Sequence, residues 1–130
     1  MSHNLLTLKN FALNRNKTTG NKGEELAAAY LSGKGYTVIE RNWRFRNAEV
    51  DIIAAKNNRL HFFEIKTRTS GKFGKPEESM SYTKMKMLKI AAEEYQYKNP
   101  QWKYVQFDVL AITIVYNVPT EYFLIEDVYF

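Results

Sequence analysis

Two strand-like segments, AEVDIIAA (48–55) and LHFFEIKT (60–67), flank Lys56-Asn57-Asn58-Arg59, and this hairpin pattern constrains the fold more than any other stretch of the chain. If Asn57 and Asn58 form a two-residue turn, Lys56 faces Arg59, and the register then sets Asp51 opposite Glu64 and Glu49 opposite Lys66. Side chains alternate along a strand, so Leu60, Phe62, Glu64 and Lys66 share one face with Ile53, Asp51 and Glu49. That face is apolar near the turn and charged away from it. Opposed side chains lie roughly 4.5–5.5 Å apart at Cβ, where like charges are destabilising.

Two carboxylates held together on a half-buried face can share a proton, pair with a lysine or bind a cation. Mg²⁺, or Mn²⁺ in its place, suits such a pair, because it takes hard oxygen ligands and keeps waters that a substrate phosphate can replace. Lys66 stands about 6.7 Å along the strand from Glu64, at ~3.3–3.4 Å per residue. From there an ammonium group reaches a bound water or a phosphate oxygen and stabilises charge developing at phosphorus. The same residues also allow an ordinary salt bridge of Lys66 with Glu49 or Glu64. A further carboxylate favours the site. In NKGEELAAAYLSG (21–33), Leu26, Ala27, Tyr30 and Leu31 mark an amphipathic helix, and Glu24 borders its core-facing stripe while Glu25 points away. Either glutamate would also be a favourable charge near a helix N-terminus, worth ~0.3–1 kcal/mol.

The remaining chain reads as one domain. The expected elements are the helix at 21–33, strands at 36–45, 48–55 and 60–67, a helix at 81–97, and strands at 104–116 and 121–130. This order predicts an α/β fold with a mixed central sheet flanked by helices. Residues 1–19 read as an N-terminal arm, or a short docking helix, ahead of a domain at 20–130. A chain of 130 residues with 45% apolar residues buries a single core. The absence of cysteine excludes disulfides, zinc thiolates and thiol nucleophiles, and fits a reducing cytoplasm. No run reaches membrane-spanning length, and no signal peptide is expected. The net charge of +5 favours a polyanionic partner such as nucleic acid.

Several basic residues are candidate phosphate contacts: Arg44 and Arg46 in RNWRFRN (41–47), Arg68 after the second hairpin strand, and Lys72 and Lys75 in a basic loop, KTRTSGKFGKP (66–76). That loop lacks the spacing of a phosphate-binding P-loop. Trp43 and Phe45 share a strand face and are read as core in preference to a base-stacking platform. His61 has the wrong parity to join Glu64, and His3 lies in the arm, so neither is expected to bind a metal. Asp108 reads equally as a structural acid or as a group supporting the site. No Ser-His-Asp constellation stands in the chain.

Gly23-Glu24 with Ala27 and Leu31, Gly35-Tyr36, Arg41-Asn42, Glu49-Val50-Asp51-Ile52-Ile53, Phe63-Glu64-Ile65-Lys66-Thr67-Arg68, Phe73-Gly74, Lys84 and Phe107-Asp108-Val109 together resemble the YraN (UPF0102) family. That family looks like part of the PD-(D/E)xK, restriction-endonuclease-like superfamily and is similar to archaeal Holliday junction resolvases. The likeness covers residues 20–115. It implies a metal-dependent endonuclease of DNA, branched DNA included, with Asp51 and Glu64 as metal ligands aided by Glu24, Lys66 as catalytic lysine and Lys84 as an accessory basic residue. Glu49 matches the acid of the family's Gly-Glu-Ile-Asp motif, with Ala48 in place of its glycine. Resolvase-like relatives imply a homodimer, for which this chain carries no signal of its own. The competing expectations are a nucleic-acid-binding module without chemistry and a protein-interaction scaffold whose acids form only salt bridges.

Overall fold

A computed structural model describes residues 15–69 and 82–128, with side chains from residue 22 onward. Helix α1 (Arg15–Gly33) precedes strands β1 (Thr37–Phe45), β2 (Ala48–Lys56) and β3 (Arg59–Arg68); helix α2 (Tyr82–Lys98) then leads to β4 (Val105–Val115) and β5 (Val118–Ile125). The five strands form one sheet in chain order, antiparallel throughout except where β4 runs parallel to β3. That parallel step needs a crossover, and α2 supplies it. The expected mixed sheet flanked by helices is what the chain forms.

The helices cover opposite faces. Beneath α1, Ala27 and Leu31 pack with Tyr36, Ile52, Ala54, Phe63, Leu110 and Ile112. Beneath α2, Met85, Leu88, Ala91, Ala92 and Tyr95 pack with Val50, Ile53, Leu60, Phe62 and Val109. The alternation of Phe62 and Phe63 into separate cores is the strand period made visible. Trp43 and Phe45 lie against the α2 core, Trp43 edge-on to Tyr95, so the core reading of these aromatics holds.

Local chemistry sets the element ends. Gly35, at a φ of 95°, caps α1 while the Tyr36 amide donates to Leu31 and the Gly35 amide to Ser32, a Schellman arrangement that needs a left-handed residue. Asn57 and Asn58 both have positive φ, at 54° and 62°, so they form the predicted two-residue turn with a twist that suits the hairpin. Tyr116 and Asn117, at 51° and 64°, repeat this device between β4 and β5, which is why β5 begins at Val118, earlier than expected. Helix α1 also begins earlier, at Arg15, so part of the expected arm is helical. No helix among the described residues is long and apolar enough to cross a membrane.

Candidate metal and phosphate site

The predicted register holds along the first half of the hairpin and then gives way. Lys56↔Arg59 through Ile52↔Phe63 pair as expected, and the ladder stops at the next step, where Asp51 and Glu64 would have faced each other. There the Asp51 carboxylate takes over: Oδ2 accepts the Ile65 backbone N–H at 2.8 Å. A side chain thus substitutes for the backbone carbonyl that a continuing ladder would have supplied.

Glu64 is only 4% exposed, and two lysines converge on one of its oxygens. Lys84 Nζ, from the first turn of α2, donates to Oε2 at 2.6 Å, and Lys66 Nζ lies 3.3 Å from the same atom. Such charge-assisted contacts compensate a buried carboxylate that would otherwise be costly to ionise. Asp51 is less well served. Burial, then the nearby Glu64 charge, and more weakly the Glu24 charge, push its carboxyl up to about 7, against the Ile65 hydrogen bond and Lys84, which pull it down. Glu24 on α1 is thus near enough to add to the charge around Asp51, and it is less exposed than Glu25, the inward placement expected of it.

Gly23 allows α1 to come this close. A Cβ at Gly23 would collide with Thr67 Cγ2 on β3, so helix and strand approach each other only because the side chain is absent.

The other candidates divide. Glu49 does not meet Lys66; it lies 3.5 Å from Arg44 across the β1–β2 ladder, because β2 bends away from β3 beyond Ile52. Asn47, Ala48, Glu49, Asp51, Lys84, Met87 and Leu88 line an open cleft of about 290 Å³, so Glu49 still borders the site. Arg46 falls in the turn between β1 and β2 and rests over the Phe45 ring instead of standing on a strand face. Arg68 is held inward, bonded to Thr113 at 3.2 Å and 4.0 Å from Glu121, which makes it a strand-to-strand tie. Lys72 and Lys75 lie outside the described residues, as do His3, Phe73 and Gly74. His61 and Asp108 form a buried pair, Nδ1 to Oδ2 at 2.7 Å, while Asp108 Oδ1 accepts from Gln106 and from the Asp127 backbone N–H. Asp108 is thus a structural acid, opposite Phe63 in the ladder of the two central parallel strands.

The donor set fits a hard divalent cation. Asp51 Oδ1 and Glu64 Oε1 have no hydrogen-bond or ion-pair partner among the described residues, and both are carboxylate oxygens of the kind Mg²⁺ prefers. Like charges already crowd Asp51, and a cation would relieve them. The described side chains do not gather three acidic or histidine ligands closely enough to hold an ion; an ion here would have Asp51 and Glu64 as its protein ligands.

A mixed five-stranded sheet with a helix on each face, bearing an acidic pair and a lysine where two central strands part, defines an α/β protein consistent with the restriction-endonuclease-like fold. Residues 23–112 match the uncharacterised protein family UPF0102. The chain is 42% identical over 100 residues to a UPF0102 protein of Rhodococcus opacus, covering 76% of this chain and 85% of that one. A UPF0102 protein of Chloroherpeton thalassium is 38% identical over 125 residues, covering 90% and 97% of the two chains. The chain belongs to the UPF0102 family.

Proposed function

We propose that this chain is a Mg²⁺- or Mn²⁺-dependent nuclease that hydrolyses phosphodiester bonds of DNA, with branched DNA as the first substrate to test. The observation that carries the reading is the pairing of a crowded, hard-to-ionise Asp51 with a buried Glu64, beside a lysine that reaches the same carboxylate. Buried ionic groups contribute little net stability, so stabilisation is a weak account of such a cluster.

In this reading Asp51 and Glu64 would hold the ion. When bound, the ion supplies Lewis-acid activation of a phosphodiester and a water. Lys66, with a third of its side chain exposed, donates to a non-bridging phosphate oxygen and offsets the charge that builds there during in-line displacement. Lys84 orients the Glu64 carboxylate through its hydrogen bond to Oε2. Exposed Arg44, and Lys72 and Lys75 beyond the described residues, supply phosphate contacts along the flanking strand. The lack of cysteine suits work in a reducing cytoplasm. A homodimer belongs to this reading as a stoichiometry to be measured.

One observation favours the alternative, a nucleic-acid-binding module without chemistry: two lysines on Oε2 already neutralise Glu64 with no ion required. Nicking of branched and duplex DNA in Mg²⁺ by the wild type, Asp51→Asn and Lys66→Ala separates the two. Cleavage lost in both variants supports the nuclease. Salt-sensitive DNA binding with no cleavage by any of the three supports the module.

A further inference from the structure

We infer that Asn42 is a positioning residue for Asp51, and that it acts through its backbone conformation and not through its amide. The inference rests on Asp51 being part of the site, and deepens that reading by naming what aims its carboxylate.

Asn42 lies inside β1 with a φ of 55°, a left-handed conformation that a strand interior does not otherwise use. Its flanking residues pair with β2 as Arg41↔Ile52 and Trp43↔Val50, which leaves Asn42 opposite Asp51. Both strands change sides at this point. On β1, Arg41 reaches Glu25 of α1 at 3.4 Å, whereas Trp43 packs against Tyr95 of α2. On β2, Ile52 belongs to the core under α1 and Val50 to the core under α2. Residues two apart on a regular strand share a face, so each chain has rotated by about half a turn across one residue.

That rotation ends the β2–β3 ladder. Above it, β2 pairs with β3 as far as Ile52↔Phe63; below it, the strands part and the Asp51 carboxylate occupies the opening, bonded to the Ile65 amide. Without the rotation, the Val50 carbonyl would take the Ile65 amide, and the Asp51 side chain would project from one sheet face beside Glu64. The left-handed residue on β1 is the partner of the bend on β2. Asparagine suits the position because it enters this region at lower cost than other residues with a side chain, and glycine enters it freely.

The test reads the Ile65 amide by NMR in the metal-free protein, through its chemical shift and its hydrogen-exchange rate. Asp51→Ala defines the signature of the lost bond. Asn42→Val, which disfavours the left-handed region, is expected to move the Ile65 resonance toward that signature and to speed its exchange by about ten-fold or more. Asn42→Gly, which has no amide group but accepts positive φ, is expected to keep the wild-type values. If Asn42→Val does not fold, Asn42→Ala replaces it with the same expectation. A wild-type Ile65 amide in the valine or alanine variant overturns the inference, as does a glycine variant that loses the bond, which would assign the role to the side chain. Because no metal or DNA is present, these outcomes are independent of cleavage: a protein that never cuts DNA but shows this pattern refutes the nuclease and keeps the inference.

Discussion

Lys84 Nζ lies closer to Glu64 Oε2 than Lys66 Nζ does, at 2.6 Å against 3.3 Å. The helix lysine is therefore the closer counter-charge of the buried acid, and the strand lysine is the more loosely held of the two. Lys84→Met should destabilise the fold by about 1–3 kcal/mol, an amount moderated by the partial exposure of Lys84. Lys66→Met should cost less, about 0–1 kcal/mol, yet remove cleavage. Urea unfolding of both variants beside a nicking assay checks the division, and equal stability losses would contradict it.

The pH dependence follows from Asp51. Its carboxyl is raised from 3.8 to about 7 in the folded chain, so between those values the folded state holds a proton that the unfolded state releases. The stability this provides is complete below the lower value and is lost as pH rises through the upper one. Wild-type stability should fall by a few kcal/mol at most across that range, given ~1.4 kcal/mol per pKa unit. Asp51→Asn should lack this component, and Mg²⁺ should restore stability to the wild type above neutrality. Thermal unfolding at a series of pH values, with and without the ion, gives the answer; a flat difference between wild type and variant would rule out a proton on Asp51.

The Gly23–Thr67 approach makes a paired prediction. Gly23→Ala should destabilise by about 1–3 kcal/mol through overpacking, and should weaken the influence of Glu24 on the site as α1 is pushed outward. Thr67→Ser removes the methyl group that a new Cβ would strike. The Gly23→Ala, Thr67→Ser double variant should recover most of the loss, which a double-mutant cycle measures directly.

His61 and Asp108 test the separation of scaffold and site. His61→Ala leaves Asp108 buried without its partner and opens space beside Tyr36 and Phe63, so a loss of about 3–5 kcal/mol is expected. Metal binding by the protein that remains folded should match wild type. Calorimetric titration at low temperature checks this, and a weakened ion affinity would tie the His61–Asp108 pair to the site.

Much of this was legible in the chain, and the failures share a cause. Asn57-Asn58 announced the turn, and the turn set the register correctly as far as Ile52. The extrapolation to Asp51 and Glu49 failed because a register rule assumes that strands continue straight. The bend at Asn42 and Asp51 is a backbone event, written only as an asparagine inside a strand that is otherwise apolar and charged beyond its first residue. Lys84 heads the stripe of Leu88, Ala91 and Tyr95, so a cation aimed at the core was visible, but its partner was not, since the chain between β3 and α2 does not reveal where α2 begins relative to Glu64. The Tyr116-Asn117 turn lacks the glycine that marks the strongest hairpin signals, which hid the start of β5.

The single parallel step in the sheet also orders events in time. Strands β1 to β3 are joined by two-residue turns and can pair as a local meander, whereas β4 must wait for a crossover of more than thirty residues to close against β3. Asp51, Glu64 and Lys66 all ride on the meander, while Lys84 arrives with the crossover. The two acids thus belong to the local unit and their closest counter-charge to the crossover, so the docking of α2 brings Lys84 to Glu64 as well as burying apolar surface. Substitutions at Lys84 should accordingly accelerate unfolding in proportion to the stability they remove, and slow folding little.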